Sequence, residues 1–399
     1  MRLLAVAAIV LSSVPVIATP AAAAGCDQPL NYTAEAAADL VKVGVLDPGI
    51  LGLKLPKVAD LTLASTSAHL GAASSVRSSA RSEYVSAKVL GLTLPRGPLE
   101  ATVAQQAPPT HQDPVRNNAL SIDLGVAKAG TGDLIAHARW ADGMACGAQV
   151  GPAGSATVAI LDVTVLPGIK GALVAARDNL ASQAETAMVQ RDGRAATAAA
   201  ARISLASLDI AGGKLTIKVI SPPTLMIYAT GRTATSTVEY KAPVLEITGP
   251  GIARQELTGL GKTIDLPIQT SALGSVLSGL PLPVGLGQNS LLRLTIGDLN
   301  QEITDQKVTA TAASLRLQVL VSGTTQAAVL DLGVGLLSAS AQAPQWTAPA
   351  PVGNPGDCGT PGCKLPLTGL NVGIAVGAGI LLFVLGRFLF VLSARRRSS

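Results

Sequence analysis

The chain has 399 residues, of which 48% are hydrophobic, 14% charged and only 2% aromatic, and its 30 Lys and Arg exceed its 25 Asp and Glu by five. All five of that surplus, Arg2, Arg387, Arg395, Arg396 and Arg397, sit in apolar terminal segments that contain no acid, so the rest of the chain is neutral. A neutral body with few rings excludes a phosphate-binding basic patch or a stacking platform, and with it a nucleic-acid partner.

Residues 1–24 open with Arg2, continue through an apolar stretch from Leu3 to Ile17 and end in the small residues Ala21 to Ala24. This is the pattern of a secretory signal peptide, with cleavage expected after Ala24. Cys26 follows almost at once, but Ala23 stands where a lipidation signal carries Leu, so plain cleavage is the better reading.

From residue 25 to 342 the pattern predicts a mainly β, antiparallel, hairpin-rich region, either sandwich-like or elongated. Leu40–Leu46 and Ile50–Leu55 flank Asp47-Pro48-Gly49, a turn signal. Arg191-Asp192-Gly193-Arg194 and Ala211-Gly212-Gly213 mark two more hairpins. Between Lys214 and Ile220, Leu215, Ile217 and Val219 alternate with Lys214, Thr216 and Lys218, as in a half-buried strand. Three passages, from Ser79, Ala196 and Thr309, share one trend: small residues run into aliphatic ones. Alanine-dense 171–190 leaves a helix open as an alternative. Gln105–Asn118, rich in Pro, Asn and Gln, reads as a loop that is either a domain seam or a surface excursion.

Four cysteines fit disulfides in an oxidising compartment. Cys358 and Cys363 enclose Gly-Thr-Pro-Gly and pair by proximity, which leaves Cys26 for Cys146. A zinc site is the weaker reading, since no second close cysteine pair accompanies them and His69, His111 and His137 are scattered. No cofactor or metal is expected.

The motifs of catalysis are absent or defective. Gly261-Lys262-Thr263 ends like a phosphate loop, but Glu256 occupies the position of its first glycine. Asp298, Asn300, Glu302 and Asp305 are spaced like the start of a calcium loop, yet Ile303 replaces the turn glycine, and a solvated strand end is the expectation. Neither G-x-S-x-G nor H-E-x-x-H occurs, so the region is read as non-enzymatic, with a secreted hydrolase as the alternative.

Residues 343–364 are rich in Pro and Gly and predict a stalk. Leu365, Pro366, Leu367, Thr368 and Gly369 follow, then the apolar run 370–392, broken only by Asn371 and Arg387, then a 393–399 tail containing Arg395, Arg396 and Arg397. Twenty-three residues suffice for a helix to cross a bilayer core of about 30 Å, and the arginines fix the tail on the cytoplasmic side. Arg387 lies close enough to that side to snorkel.

An LPxTG pentapeptide, a span and an arginine tail in this order resemble the sorting signal of Gram-positive cell-wall-anchored surface proteins. The outer region, in its layout and in the strings KLTIKVISPPTLMIYATG, STVEYKAPVLEIT and SLLRLTIGDLNQEI, is also similar to secreted actinobacterial proteins with such anchors. The resemblance implies that sortase cleaves between Thr368 and Gly369 and joins Thr368 to a peptidoglycan precursor, the five motif residues being substrate rather than catalyst. It implies a cell-surface location, with the C-terminal helix in the membrane only before processing. A plain single-span membrane protein that sortase does not touch is the remaining alternative.

Overall fold

The computed structural model describes residues 30–46, 58–89, 92–93, 101–109, 113–124, 127–168, 171–250, 252–268, 290–321 and 327–344. Along this part the chain is almost entirely strand. It first makes β1 (Thr33–Leu46), β2 (Val58–Gly71), β3 (Ser78–Val89), β4 (Leu92–Thr93) and β5 (Thr102–Ala107). It continues through β6 (Val115–Ala119), β7 (Ile122–Asp123), β8 (Ala127–Ala129), β9 (Gly132–Ala138), a 3-10 turn at Asp142–Cys146, β10 (Gly151–Gly168) and β11 (Gly171–Arg191). Then come β12 (Arg194–Ser204), β13 (Ser207–Ile210), β14 (Leu215–Ser221), β15 (Thr224–Ala229), β16 (Thr237–Lys241), β17 (Val244–Gly249) and β18 (Ile252–Leu257). The last four are β19 (Lys262–Ile268), β20 (Ser290–Ile303), β21 (Lys307–Val321) and β22 (Ala327–Gln342).

Two antiparallel sheets result. The first has nine strands in the order β19-β20-β21-β22-β1-β2-β3, with β4 and β5 both beside β3. It therefore joins the first and last described strands, paired from Thr33 opposite Gln342 to Leu46 opposite Leu330. The second, of 13 strands, is built entirely from the intervening chain. Its axis is the long β10–β11 hairpin, which pairs with β9 and β12 along one half and with β8 and β13 along the other.

The sheets lie face to face with strands stacked in matching order: β22 over β12 and β15, β1 over β11 and β12, β2 over β10 and β11, β3 over β9 and β10. Side chains on one sheet hydrogen-bond to carbonyls on the other. Ser182 Oγ donates to Ala64 O at 2.7 Å, Ser82 Oγ to Ile135 O at 2.6 Å, and Thr197 Oγ1 to Gln342 O at 3.0 Å. Such buried hydroxyls are stabilising only because each has a partner.

A row of residues crosses six neighbouring strands of the first sheet: Gly297, Ser314, Gly335, Leu40, Ala64 and Tyr84. Each is buried and is followed or preceded by a second buried residue, so the in-and-out alternation changes phase there in every strand. The pairing register is the same on both sides of the row. No strand gains a residue over its neighbours at this point; all change phase together. Gly297, Gly335 and Ala64, on alternate strands, take positive φ of 55°, 66° and 51°. Ser314 Oγ donates to Gly335 O at 2.7 Å and Thr66 Oγ1 to Ala38 O at 3.2 Å, so side chains supply bonds beside the row.

The row also separates two kinds of core. On one side the inward residues are small, including Ala34, Ala36, Ala38, Ala68, Ala80, Ser82, Ala310 and Ala339. There the sheets come so close that a Cβ added to Gly154 would lie 2.7 Å from Ser79 O. On the other side Val41, Val43, Leu61, Leu63, Leu294, Leu317 and Leu332 fill a wider space. The three small-to-aliphatic passages fall on β3, β12–β13 and β21, and in β3 and β21 the change of residue size comes at the row.

Several expectations meet their structural counterparts here. Asp192-Gly193 and Ala211-Gly212-Gly213 turn the β11–β12 and β13–β14 hairpins, and β14 buries Leu215 and Ile217 while exposing Lys218. The helix left open over 171–190 is instead the strand β11, and the described residues contain no α-helix. β1 starts at Thr33, seven residues before the aliphatic run that announces it. The Gln105–Asn118 loop shrinks to the short link between β5 and β6, where the chain passes from one sheet to the other. Gln105 itself is buried: its Nε2 donates to Asp113 O at 2.8 Å and its Oε1 accepts from Ala138 N–H at 2.7 Å. The link is thus a seam between sheets. Compact units divide at Trp346, and the second, Thr347–Ser399, lies outside the described residues. Ile50–Leu55 lies outside them as well, and among described residues no helix is long and apolar enough to cross a membrane.

Candidate functional site

The outward face of the nine-stranded sheet gathers hydroxyl-bearing and charged side chains around three hollows. Reading across β20, β21, β22, β1 and β2, the register places Asn300, Thr311, Ser338, Ala37 and Ser67 in one row. The row next to it reads Glu302, Thr309, Ser340, Glu35 and His69, and on the other flank come Asp298, Ala313, Leu336, Asp39 and Ser65. Hydroxyls and alanines form the floor, because any strand with a buried alanine face must place its polar residues outside.

Three adjoining hollows of about 450, 310 and 350 Å³ make this face an open groove. The first contains Glu35, His69, Ser67, Ser79 and Lys307; the second, Asp39, Asp298, Asn300 and Thr311; the third, Lys42, Arg316, Gln318 and Asp331. From Glu35 to Gly44 along β1 the groove runs nine residue steps, about 30 Å at 3.3 Å each.

Its charges are partly paired. Arg316 grips Asp331 through two bonds, Nε to Oδ1 at 2.9 Å and Nη2 to Oδ2 at 2.6 Å, which hold the Asp331 carboxyl below the usual carboxylate range. Gln318 Nε2 adds a longer bond to the same carboxylate. Beyond the groove on the same face, Arg293 binds Asp265 in the same two-point way at 2.9 and 3.1 Å. Glu35 Oε1 lies 3.4 Å from His69 Nδ1.

Asp39 and Asp298 share the middle hollow but stand three strands apart, about 14 Å at 4.8 Å per strand, with Leu336 and Ala313 between them. Glycosidases that use two carboxylates need them about 5 to 9.5 Å apart, so these two do not form such a pair. Among the described residues no cluster of metal-ligating side chains occurs. Asp298, Asn300 and Glu302 alternate on the outer face of β20, and Asp305 lies in the following turn, accepting from the Thr233 N–H at 2.8 Å and from the Thr233 hydroxyl. They belong to a strand end, as their spacing without the glycine implies.

Of the residues expected to carry signal cleavage, disulfides, sorting and the cytoplasmic tail, only Cys146 lies within the described part. It closes the 3-10 turn and is disulfide-bonded, its partner lying outside the described residues. Nearby, Tyr32 OH donates to Met144 O at 2.8 Å and Arg77 stacks on the Trp140 ring at 5.5 Å. Ala24, Cys26, Cys358, Cys363, Leu365, Pro366, Leu367, Thr368, Gly369, Arg395, Arg396 and Arg397 all lie outside the described residues. Apart from Asp298 and Asn300, which the calcium-like spacing touches, no motif points to the groove residues, and in TAEAAAD from Thr33 only Thr33, Glu35 and Asp39 break the run of alanines. No protein-family model matches this chain, and no curated protein is similar to it in sequence.

Proposed function

We propose that this is an exported surface protein, a sortase substrate joined to peptidoglycan through Thr368, whose β region acts as a structural or adhesive module. One observation carries the reading: Leu365–Gly369, the apolar run 370–392 and Arg395, Arg396 and Arg397 stand in the order that cleavage and transfer require. The β region supports it, since it offers a long hydroxyl-floored groove for an extended protein or wall-polymer chain on a part of the sequence whose charges balance. Cys26 is the proposed partner of Cys146: Leu30 N–H donates to Ala145 O at 2.8 Å, which brings the chain four residues after Cys26 beside Cys146.

Fractionation of cells with and without sortase tests the anchor. Muramidase releases the protein from wild-type walls, while Thr368→Ala and the sortase deletion leave it with the membrane. Recovery in the membrane fraction from all three strains would refute wall attachment and leave a plain single-span membrane protein.

A further inference from the structure

We infer that Ser74, His69 and Glu35 form an esterase-type site at one end of the groove, with Ser74 as nucleophile, His69 as general base and Glu35 as the group that orients the imidazole. The three come from neighbouring elements: Glu35 from β1, His69 directly opposite it on β2, and Ser74 from the turn joining β2 to β3. The two imidazole nitrogens face different partners. Nδ1 lies 3.4 Å from Glu35 Oε1. Nε2 shares a space with Ser74 Oγ: a Cβ added to Gly71 would sit 3.0 Å from the nitrogen and 2.7 Å from the hydroxyl oxygen. The hydroxyl and its base therefore flank one methyl-sized gap that exists because residue 71 has no side chain. The proposal requires Ser74 Oγ and His69 Nε2 to close this gap in the substrate complex, as nucleophile–base contacts commonly tighten when substrate binds. A base that faces a hydroxyl on one side and a carboxylate on the other is the arrangement that activates a serine.

The step balances without any further reagent. Ser74 Oγ attacks the acyl carbonyl while its proton passes to His69 Nε2, and the carbon–oxygen bond to the alcohol breaks as that alcohol takes the proton from His69. Water then attacks the acyl-serine, again giving its proton to His69, and releases the acid together with free Ser74. The surroundings restrict the substrate. The adjoining 450 Å³ hollow carries the hydroxyls of Ser67, Ser79, Thr309 and Ser340 between small alanines. A short acyl ester, acetyl in size, carried on a hydroxyl-bearing chain fits that combination.

The test uses the full-length chain in detergent micelles, with a fluorophosphonate as covalent probe and p-nitrophenyl acetate as substrate. The expected result is labelling mapped to Ser74 by mass spectrometry, abolished in Ser74→Ala and His69→Gln and retained in Ser75→Ala. Turnover should fall by about 100-fold or more in the first two variants and less in Glu35→Gln. Circular dichroism confirms that each variant is folded; Ser74 lies half-buried in a surface turn, where truncation leaves the core intact. Absence of Ser74 labelling in the folded wild-type chain overturns the inference. So does turnover that survives Ser74→Ala but not His69→Gln, which would mean the imidazole acts alone. Neither result bears on wall attachment, which fractionation reads separately.

Discussion

Gly335 shows how much one position carries. It takes a positive φ of 66°, and a Cβ there would come within 2.7 Å of Ser314 Oγ, the hydroxyl that bonds to its own carbonyl. Gly335→Ala therefore meets backbone strain and a clash at once, and should destabilise the fold by about 1–3 kcal/mol. Leu332, three residues away on the aliphatic side of the row, is fully buried, and Leu332→Ala should cost about 2–5 kcal/mol through the cavity it leaves. Denaturant midpoints measure both. An unchanged midpoint for Gly335→Ala would mean that the left-handed backbone at this row is not needed for stability.

At the scale of the element, β11 explains both what sequence patterns reveal and what they hide. Its turn to β12 is legible: Asp192 and Gly193 have φ of 50° and 73°, the conformation of a two-residue hairpin turn, and this pair is among the strongest local hairpin signals. Gly193→Val should lower stability by about 1–2 kcal/mol, with Asp192→Asn nearly neutral, again read from denaturation midpoints. The body of β11 is ambiguous because it is dense in alanine. Alanine is a helix former in isolation, and only the close approach of the facing sheet makes small residues the right ones for a strand there. The same cause hides the first seven residues of β1, where Ala34, Ala36 and Ala38 are buried between Glu35, Ala37 and Asp39. Aliphatic strands such as β14 announce themselves, since their side chains carry the alternation. The candidate triad is not legible at all, because it depends on which strands are neighbours and on a space that only Gly71 leaves.

For the whole molecule, the pH response follows from its buried phenols and paired acids. Burial pushes Tyr84 up to about 12 from an ordinary 10.0, and raises Tyr32 and Tyr240 as well. A raised phenol keeps its proton in the folded state after the unfolded chain has lost it. Its stabilising contribution is therefore complete below about pH 10 and disappears as pH rises through the folded value. At the acid end, Asp331 is lowered by its bond to Arg316, so its contribution is present above the ordinary carboxylate value of 3.8 and is lost as pH falls below it. Thermal melts across the range should show a plateau from mildly acidic to mildly alkaline pH and a steep loss above about pH 10. Tyr84→Phe should soften that alkaline loss, although it also removes the hydroxyl that donates to Gly130 O.

The pairing of β1 with β22 has a mechanical consequence. β22 is bonded along its length to β1 on one side and β21 on the other, and the chain leaves it at Gln342, toward the proposed anchor. A force applied at Gln342 along the axis of β22 would load both ladders in shear, with many bonds sharing it rather than opening one after another. Were the proposed anchor in place, extraction of the last described strand would be resisted by the same ladder that joins the first and last described strands.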